Sequence, residues 1–169
     1  MNYVIFNGTI DFDSVDTFIQ ETRAFKDEQL TIYLHSTGGD FDASSVLYDY
    51  INSWKKDVTI VAIGEIDSCA LMIFLQSNSR KIVKACMAGH HIIGMDTNTR
   101  EIKASAPFTK ILCLSLDSTN SEYFKLLDIL EVPEIVQSKI KAGEDVYIDK
   151  KELEREAKVA ERLFFRHKE

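Results

Sequence analysis

A mixed α/β fold, built from repeated βαβ units around a mainly parallel sheet, is what this sequence predicts on three observations. Runs rich in β-branched and apolar residues at positions 30–34 and 58–63 have strand length. Segments with helical apolar spacing alternate with them, the pattern of parallel strands joined by crossover helices. The run at 30–34 is apolar enough to be largely buried on both faces, as parallel strands are. The chain has 169 residues, 45% of them hydrophobic. It has no interior linker rich in Gly, Pro or Ser, so residues 1–169 are expected to form a single domain.

Taken in order, residues 3–6 make the first predicted strand. Beyond Ile10 the spacing turns helical, with Val15, Phe18, Ile19, Thr22 and Phe25 on one stripe, Asp13 or Ser14 as N-cap, and Lys26-Asp27-Glu28 as the close. After the strand at 30–34 a helix is predicted over residues 43–54, a strand over 58–63, and a helix over Ser68–Gln76 that is apolar nearly all round and therefore buried. Ser77-Asn78-Ser79-Arg80 ends it, because short polar side chains compete for backbone hydrogen bonds and favour a turn. Two further short strands are predicted over 82–85 and 89–93. A long, partly helical region from about residue 100 to 130 carries Ile111, Leu114, Phe124, Leu127 and Leu130. Pro107 belongs near a helix start or at a kink, and the weak helix formers Ser115, Ser118, Thr119 and Ser121 are expected to interrupt the region. Val132-Pro133 opens another helix. Asp149-x-x-Glu152 is a capping-box-like start for the last, which should bury Leu153, Ala157, Ala160, Leu163 and Phe164.

Composition excludes several functions. The formal charge is -7 and the basic residues are dispersed, which argues against a nucleic-acid partner and against an anionic membrane surface. Cys69, Cys86 and Cys113 show neither CxxC nor His/Cys ligand spacing, so no disulfide framework, metal or cofactor is expected, and a reducing compartment fits. The start, Met1-Asn2-Tyr3-Val4, enters a strand without a cationic or long apolar leader, and no apolar run reaches spanning length. A cytoplasmic protein is the expectation.

Two corners carry chemistry. Gly64-Glu65-Ile66-Asp67-Ser68-Cys69-Ala70-Leu71 follows a β-branched run and leads into an apolar helix. A serine at such a junction can have its Oγ lifted out of the sheet beside the helix's first N–H groups. Ser68 is thus a candidate nucleophile, although a serine before a helix is usually an ordinary N-cap. Some thirty residues earlier, Ile32-Tyr33-Leu34-His35-Ser36-Thr37-Gly38-Gly39 is a strand ending in a glycine pair. Such a pair is either a plain tight turn or a way to aim a backbone N–H at a bound carbonyl. Nucleophilic serine also needs a base. His90 and His91 lie on a predicted strand and point to opposite faces, so at most one can meet Ser68.

The chain resembles ClpP, the proteolytic subunit of the Clp protease, within the crotonase-like superfamily. The residues that carry the resemblance are Ile5-Phe6-Asn7-Gly8-Thr9-Ile10-Asp11, the Ser36-Thr37-Gly38-Gly39 stretch, the helix Val46-Leu47-Tyr48-Asp49-Tyr50-Ile51, the Gly64-x-x-x-Ser68 turn, and Gly143-Glu144-Asp145-Val146-Tyr147-Ile148 followed by Glu152. The resemblance implies a ClpP/crotonase-like fold and a serine endopeptidase that cleaves unfolded polypeptide through an acyl-enzyme. It makes Ser68 the nucleophile, His91 the general base by its interval from Ser68, and Asp145 the orienting acid. An alignment of Ile92-Ile93 with the family's apolar pair would instead put Gly94 at the base position. The oxyanion donors implied are the N–H groups of Gly39 and Cys69. Assembly in heptameric or double heptameric rings is implied too, with other ClpP-type subunits or an AAA+ ATPase as partners. Asp67, Leu71 and Thr37 depart from the family pattern. They leave an inactive ring subunit as the alternative, and an acyl-CoA enzyme of the crotonase type as a third.

Overall fold

The computed structural model describes residues 2–25, 28–91 and 106–166. The architecture is mixed α/β, with a sheet in the order β1 (Asn2–Asn7), β2 (Leu30–Ser36), β3 (Val58–Asp67), β4 (Arg80–His90) and β5 (Val146–Ile148). The pairs β1–β2, β2–β3 and β3–β4 are all parallel. Between them run α1 (Phe12–Thr22), α2 (Phe41–Asn52) and α3 (Ser68–Gln76); α4 (Ala106–Ile129), α5 (Glu134–Lys141) and α6 (Lys150–Phe164) complete the described helices.

Local chemistry sets the helix starts. Asp11, not Asp13 or Ser14, caps α1: its carboxylate accepts from Ser14 N–H at 2.8 Å while the Ser14 hydroxyl accepts from Asp11 N–H, a reciprocal box. Asp40 caps α2 by accepting from Ala43 N–H, and Asp149 caps α6 by accepting from Glu152 N–H. At α3 the cap position falls to Asp67, whose side chain makes no capping bond, and Ser68 is the first helical residue. The N-cap reading of Ser68 is thereby corrected.

The strands differ from expectation in two ways. β2 alternates buried and half-buried residues, so only one of its faces is in the core, whereas burial on both was expected. Its inward face, Leu30, Ile32 and Leu34, joins Val4, Phe6, Val58, Ile60 and Ala62 in the core. Further on, the two short strands expected at 82–85 and 89–93 are one strand, β4. A register shift between Ala62 and Gly64 lets β3 and β4 stay paired through Cys86, Met87 and Ala88, the residues between the two expected strands. Ile92, Ile93 and Gly94 lie outside the described residues, as do Lys26, Asp27 and the side chains of Ile111, Cys113 and Leu114.

The chain divides into two compact units, Met1–His90 with Tyr147–Glu169, and His91–Val146. In the first, α6 packs against β4 and α3. It buries Leu153, Ala157 and Ala160 as expected, but Leu163 is half exposed, and Glu156 and Val159 take the inner positions instead. In the second, α4 is continuous for 24 residues through Ser115, Ser118, Thr119 and Ser121, so the expected interruption does not occur. Pro107 sits in the first turn of α4, where its missing N–H costs nothing. Gln137 donates to Asp128 and to the Val132 carbonyl, tying α5 to the end of α4.

Candidate active site

The site is built where β2 and β3 end side by side. β3 runs straight into α3, and Ser68 at the junction has φ +55°. That is the left-handed region an L-residue enters only at a cost. Ser68 is half-buried, and the backbone of Gly38 lies against it: a Cβ at position 38 would sit 2.6 Å from Ser68 Cβ and 3.1 Å from its Oγ. Only glycine leaves room there.

The neighbouring corner is held from below and from the side. Ser36, fully buried, accepts from Gly38 N–H through its hydroxyl at 3.1 Å. Ile10 N–H donates to Gly38 carbonyl at 2.9 Å and Asp40 N–H to Ile10 carbonyl at 2.8 Å, clamping the glycine pair to the chain after β1. A side chain at Gly39, φ +150°, would collide with the Ile10 carbonyl oxygen. The corner therefore has a fixed shape, a requirement for donors that must not reorganise during reaction.

Cys69 reports what surrounds it. Burial pushes its thiol up, while the Ser44 hydroxyl and the N–H groups of Gly39, Cys69 and Ala70 draw it down. The backbones of Gly39, Cys69 and Ala70 therefore lie near the Cys69 sulfur. The same thiol lines an apolar cleft of about 110 Å³ with Phe41, Ser44, Tyr48, Met72 and Ile73, between α2 and α3. A strained serine packed against a glycine pair, with an apolar cleft beside it, supplies parts that acyl transfer uses.

The chain's match to known proteins agrees with this chemistry. A family model, described as Clp protease, matches residues 4–116. The chain belongs to the Clp protease family. Among curated proteins none matches it. At family level the match supports a ClpP-type peptidase, and it spans Gly39, Ser68, Cys69 and His91.

The remaining expected residues are distributed as follows. Gly38, Gly39, Ser68 and Cys69 stand together in the first unit; His91 and Asp145 belong to the second. His91 is half-buried and follows the last residue of β4. Asp145 is exposed, in the loop between α5 and β5. His90 is engaged elsewhere: its Nε2 lies 3.0 Å from Glu156 of α6, both side chains fully buried. Asp67 is buried with its carboxylate against the bare backbone of Gly89, 2.6 Å from where a Cβ would be. Among the described residues no group of His, Cys, Asp and Glu could hold a metal ion. No described helix is long and apolar enough to cross a membrane.

Reading the sequence missed Ser36 and Ser44. A serine two residues before a glycine is a local turn signal, so Ser36 was findable. Ser44 meets Cys69 only through the packing of α2 on α3, for which the sequence carries no local mark.

Proposed function

We propose that this member of the Clp protease family is a serine endopeptidase subunit acting on unfolded polypeptide, with Ser68 as nucleophile, His91 as general base and Asp145 orienting the base. Ser68 Oγ attacks the scissile carbonyl carbon and its proton passes to His91. The resulting oxyanion is held by the N–H groups of Gly39 and Cys69. Collapse breaks the C–N bond, the amine leaves with the proton from His91, and water then hydrolyses the Ser68 ester. The observation that carries the reading is Ser68 at φ +55° against Gly38, since strain of that kind persists where the surroundings enforce it and clusters at active sites. The free thiols of Cys69 and Cys86 suit the cytoplasm.

Assembly into rings with further copies of this chain, and service to an AAA+ ATPase, complete the proposal. In its support, the outer face of the sheet is exposed at Tyr3 and Ile5 on the β1 edge and at Ile82, while Val61 between them is buried. Ile5, Tyr33, Val61 and Ile82 are lateral neighbours across four parallel strands, and Tyr3 stacks edge-on against Tyr33 at 6.2 Å. Tyr3 is 67% and Ile5 59% exposed. Parallel sheets are ordinarily covered on both faces, and a second copy would cover this one.

Cleavage of an unfolded polypeptide by wild type and by Ser68→Ala tests the peptidase reading. Loss of activity by orders of magnitude in the variant is expected; equal rates would overturn the assignment. The inactive-subunit reading is favoured by one observation, the buried Asp67 carboxylate immediately before Ser68. A negative charge there opposes a developing oxyanion. Under that reading wild type forms rings but does not cleave, and Asp67→Ala gains activity.

A further inference from the structure

We infer that His35 is a positioning residue for Ser68: its imidazole braces the arm of β3 that delivers the serine against the arm of β2 that delivers the glycine pair. The inference rests on the peptidase reading for its effect on catalysis, and on backbone geometry for the brace itself.

The two strands lose register where His35 stands. Leu34 pairs with Ala62 and Ser36 with Ile66, so the single residue His35 faces Ile63, Gly64 and Glu65 on β3. A bulge of that kind leaves main-chain groups on the longer strand without their ladder partners. The Glu65 N–H is satisfied by a side chain instead, donating to His35 Nδ1 at 3.0 Å. As acceptor, Nδ1 carries no hydrogen, so the ring's hydrogen is on Nε2. The Nδ1 edge of the ring lies close against Gly64, φ +63°, where a Cβ would sit 2.6 Å from Nδ1 and 3.0 Å from Cε1. His35 is tied at its other end as well, its carbonyl accepting from Gly8 N–H at 3.1 Å.

The brace is placed symmetrically with respect to the site. Three residues beyond His35 is Gly38, and three beyond Glu65 is Ser68, the two residues whose backbone and side chain meet. Between brace and site the arms make the Ser36–Ile66 pairing. Sliding of the bulge would therefore shift Ser68 past Gly38 and Gly39, and misplacement of a reacting group by about 1 Å costs roughly 10²-fold in rate. A ring packed on a bulge with no site beyond it would matter only for folding. Here the bulge leads directly to the strained serine.

The test uses a pair of isosteres in the full-length chain. Asparagine places an acceptor oxygen where His35 has Nδ1, whereas glutamine places it near the position of Nε2. His35→Gln is expected to lower kcat for polypeptide cleavage by roughly 10²-fold with KM nearly unchanged, and His35→Asn to restore it. Amide hydrogen exchange from Glu65 to Cys69 should quicken in His35→Gln and keep its wild-type protection in His35→Asn. Equal kcat in wild type and His35→Gln, equal loss in both variants, or unchanged exchange at Glu65 would each overturn the inference. If His35→Gln does not fold, the ¹⁵N shifts of the wild-type ring decide: a protonated Nδ1 contradicts the brace and an unprotonated one upholds it. If wild type does not cleave at all, the peptidase reading fails, and exchange and ring shifts still decide the brace.

Discussion

At Ser68 the chain accepts a left-handed conformation that costs an L-residue roughly 1–2 kcal/mol. The helices α1, α2 and α6 follow aspartates whose side chains cap them; α3 follows Asp67, whose side chain makes no capping bond. Replacing Ser68 by alanine keeps the conformational cost, whereas glycine relieves it, less the freedom glycine gains in the unfolded chain. Ser68→Gly should be the more stable of the two by up to about 1 kcal/mol in urea unfolding. Equal stability would mean the backbone at 68 is relaxed. Lys81 offers a test by pH. Burial lowers its ammonium from 10.5 to about 8, opposed by Glu161, while Nζ donates to the carbonyls of Ser77 and Ser79 at 3.0 Å and so closes the end of α3. The folded value lies below the unfolded one, so between about pH 8 and 10.5 the unfolded chain binds more protons, and this group's share of stability rises with pH. The gain is on the order of 3 kcal/mol. Cys86 acts in the other direction. Burial and the Asp67 charge raise its thiol from 9.0 to about 11, so stability falls through that window. Unfolding measured from pH 7.5 to 10.5 should therefore show a rise in wild type relative to Lys81→Met; parallel curves would contradict the assignment.

Among the elements, α6 is fixed to β4 by a polar contact inside the core. His90 and Glu156 are both fully buried, with Nε2 at 3.0 and 3.3 Å from the two carboxylate oxygens. Removing one partner of such a pair leaves an uncompensated polar group, which costs roughly 3–5 kcal/mol. His90→Ala and Glu156→Ala should each destabilise by that order, and the double variant by far less than their sum. Additive losses would show that the two do not interact. Nothing in the sequence announces this pair, since it joins a histidine and a glutamate 66 residues apart. The same limit explains what else was and was not legible. The bounds of α3 were readable because an apolar run is closed by Ser77-Asn78-Ser79. The alternation of strands and helices gave the parallel sheet for the same local reason. That β4 is one strand through Cys86-Met87-Ala88 depends on its pairing with Gly64, Glu65 and Ile66 of β3, a partner that local spacing does not reveal. At the candidate site, the glycine pair and Ser68 were legible as turn signals. Ser44 and His35 act through neighbours on other elements, which composition and spacing do not reveal.

At the scale of the whole molecule, the exposed apolar edge of the sheet at Tyr3 and Ile5 is a feature that a partner would cover. Ile5 stands on the edge strand at the level of Tyr33, Val61 and Ile82, so a carboxylate there would be desolvated in any assembly that covers the face. Light scattering should find wild type as a multiple of the chain mass and Ile5→Glu shifted toward monomer; monomeric wild type at micromolar concentration would contradict assembly. Rings are one half of a ClpP-type peptidase, and a reactive serine is the other. That half is tested most directly by a fluorophosphonate probe, which reacts efficiently with a serine only where a base and an oxyanion hole act on its hydroxyl together. Peptide mass spectrometry should place a single adduct on Ser68 in wild type and none in Ser68→Ala, with labelling sharply reduced in His91→Ala and Asp145→Ala. An adduct that persists in Ser68→Ala, or assembled wild type that takes up no probe, would contradict the account.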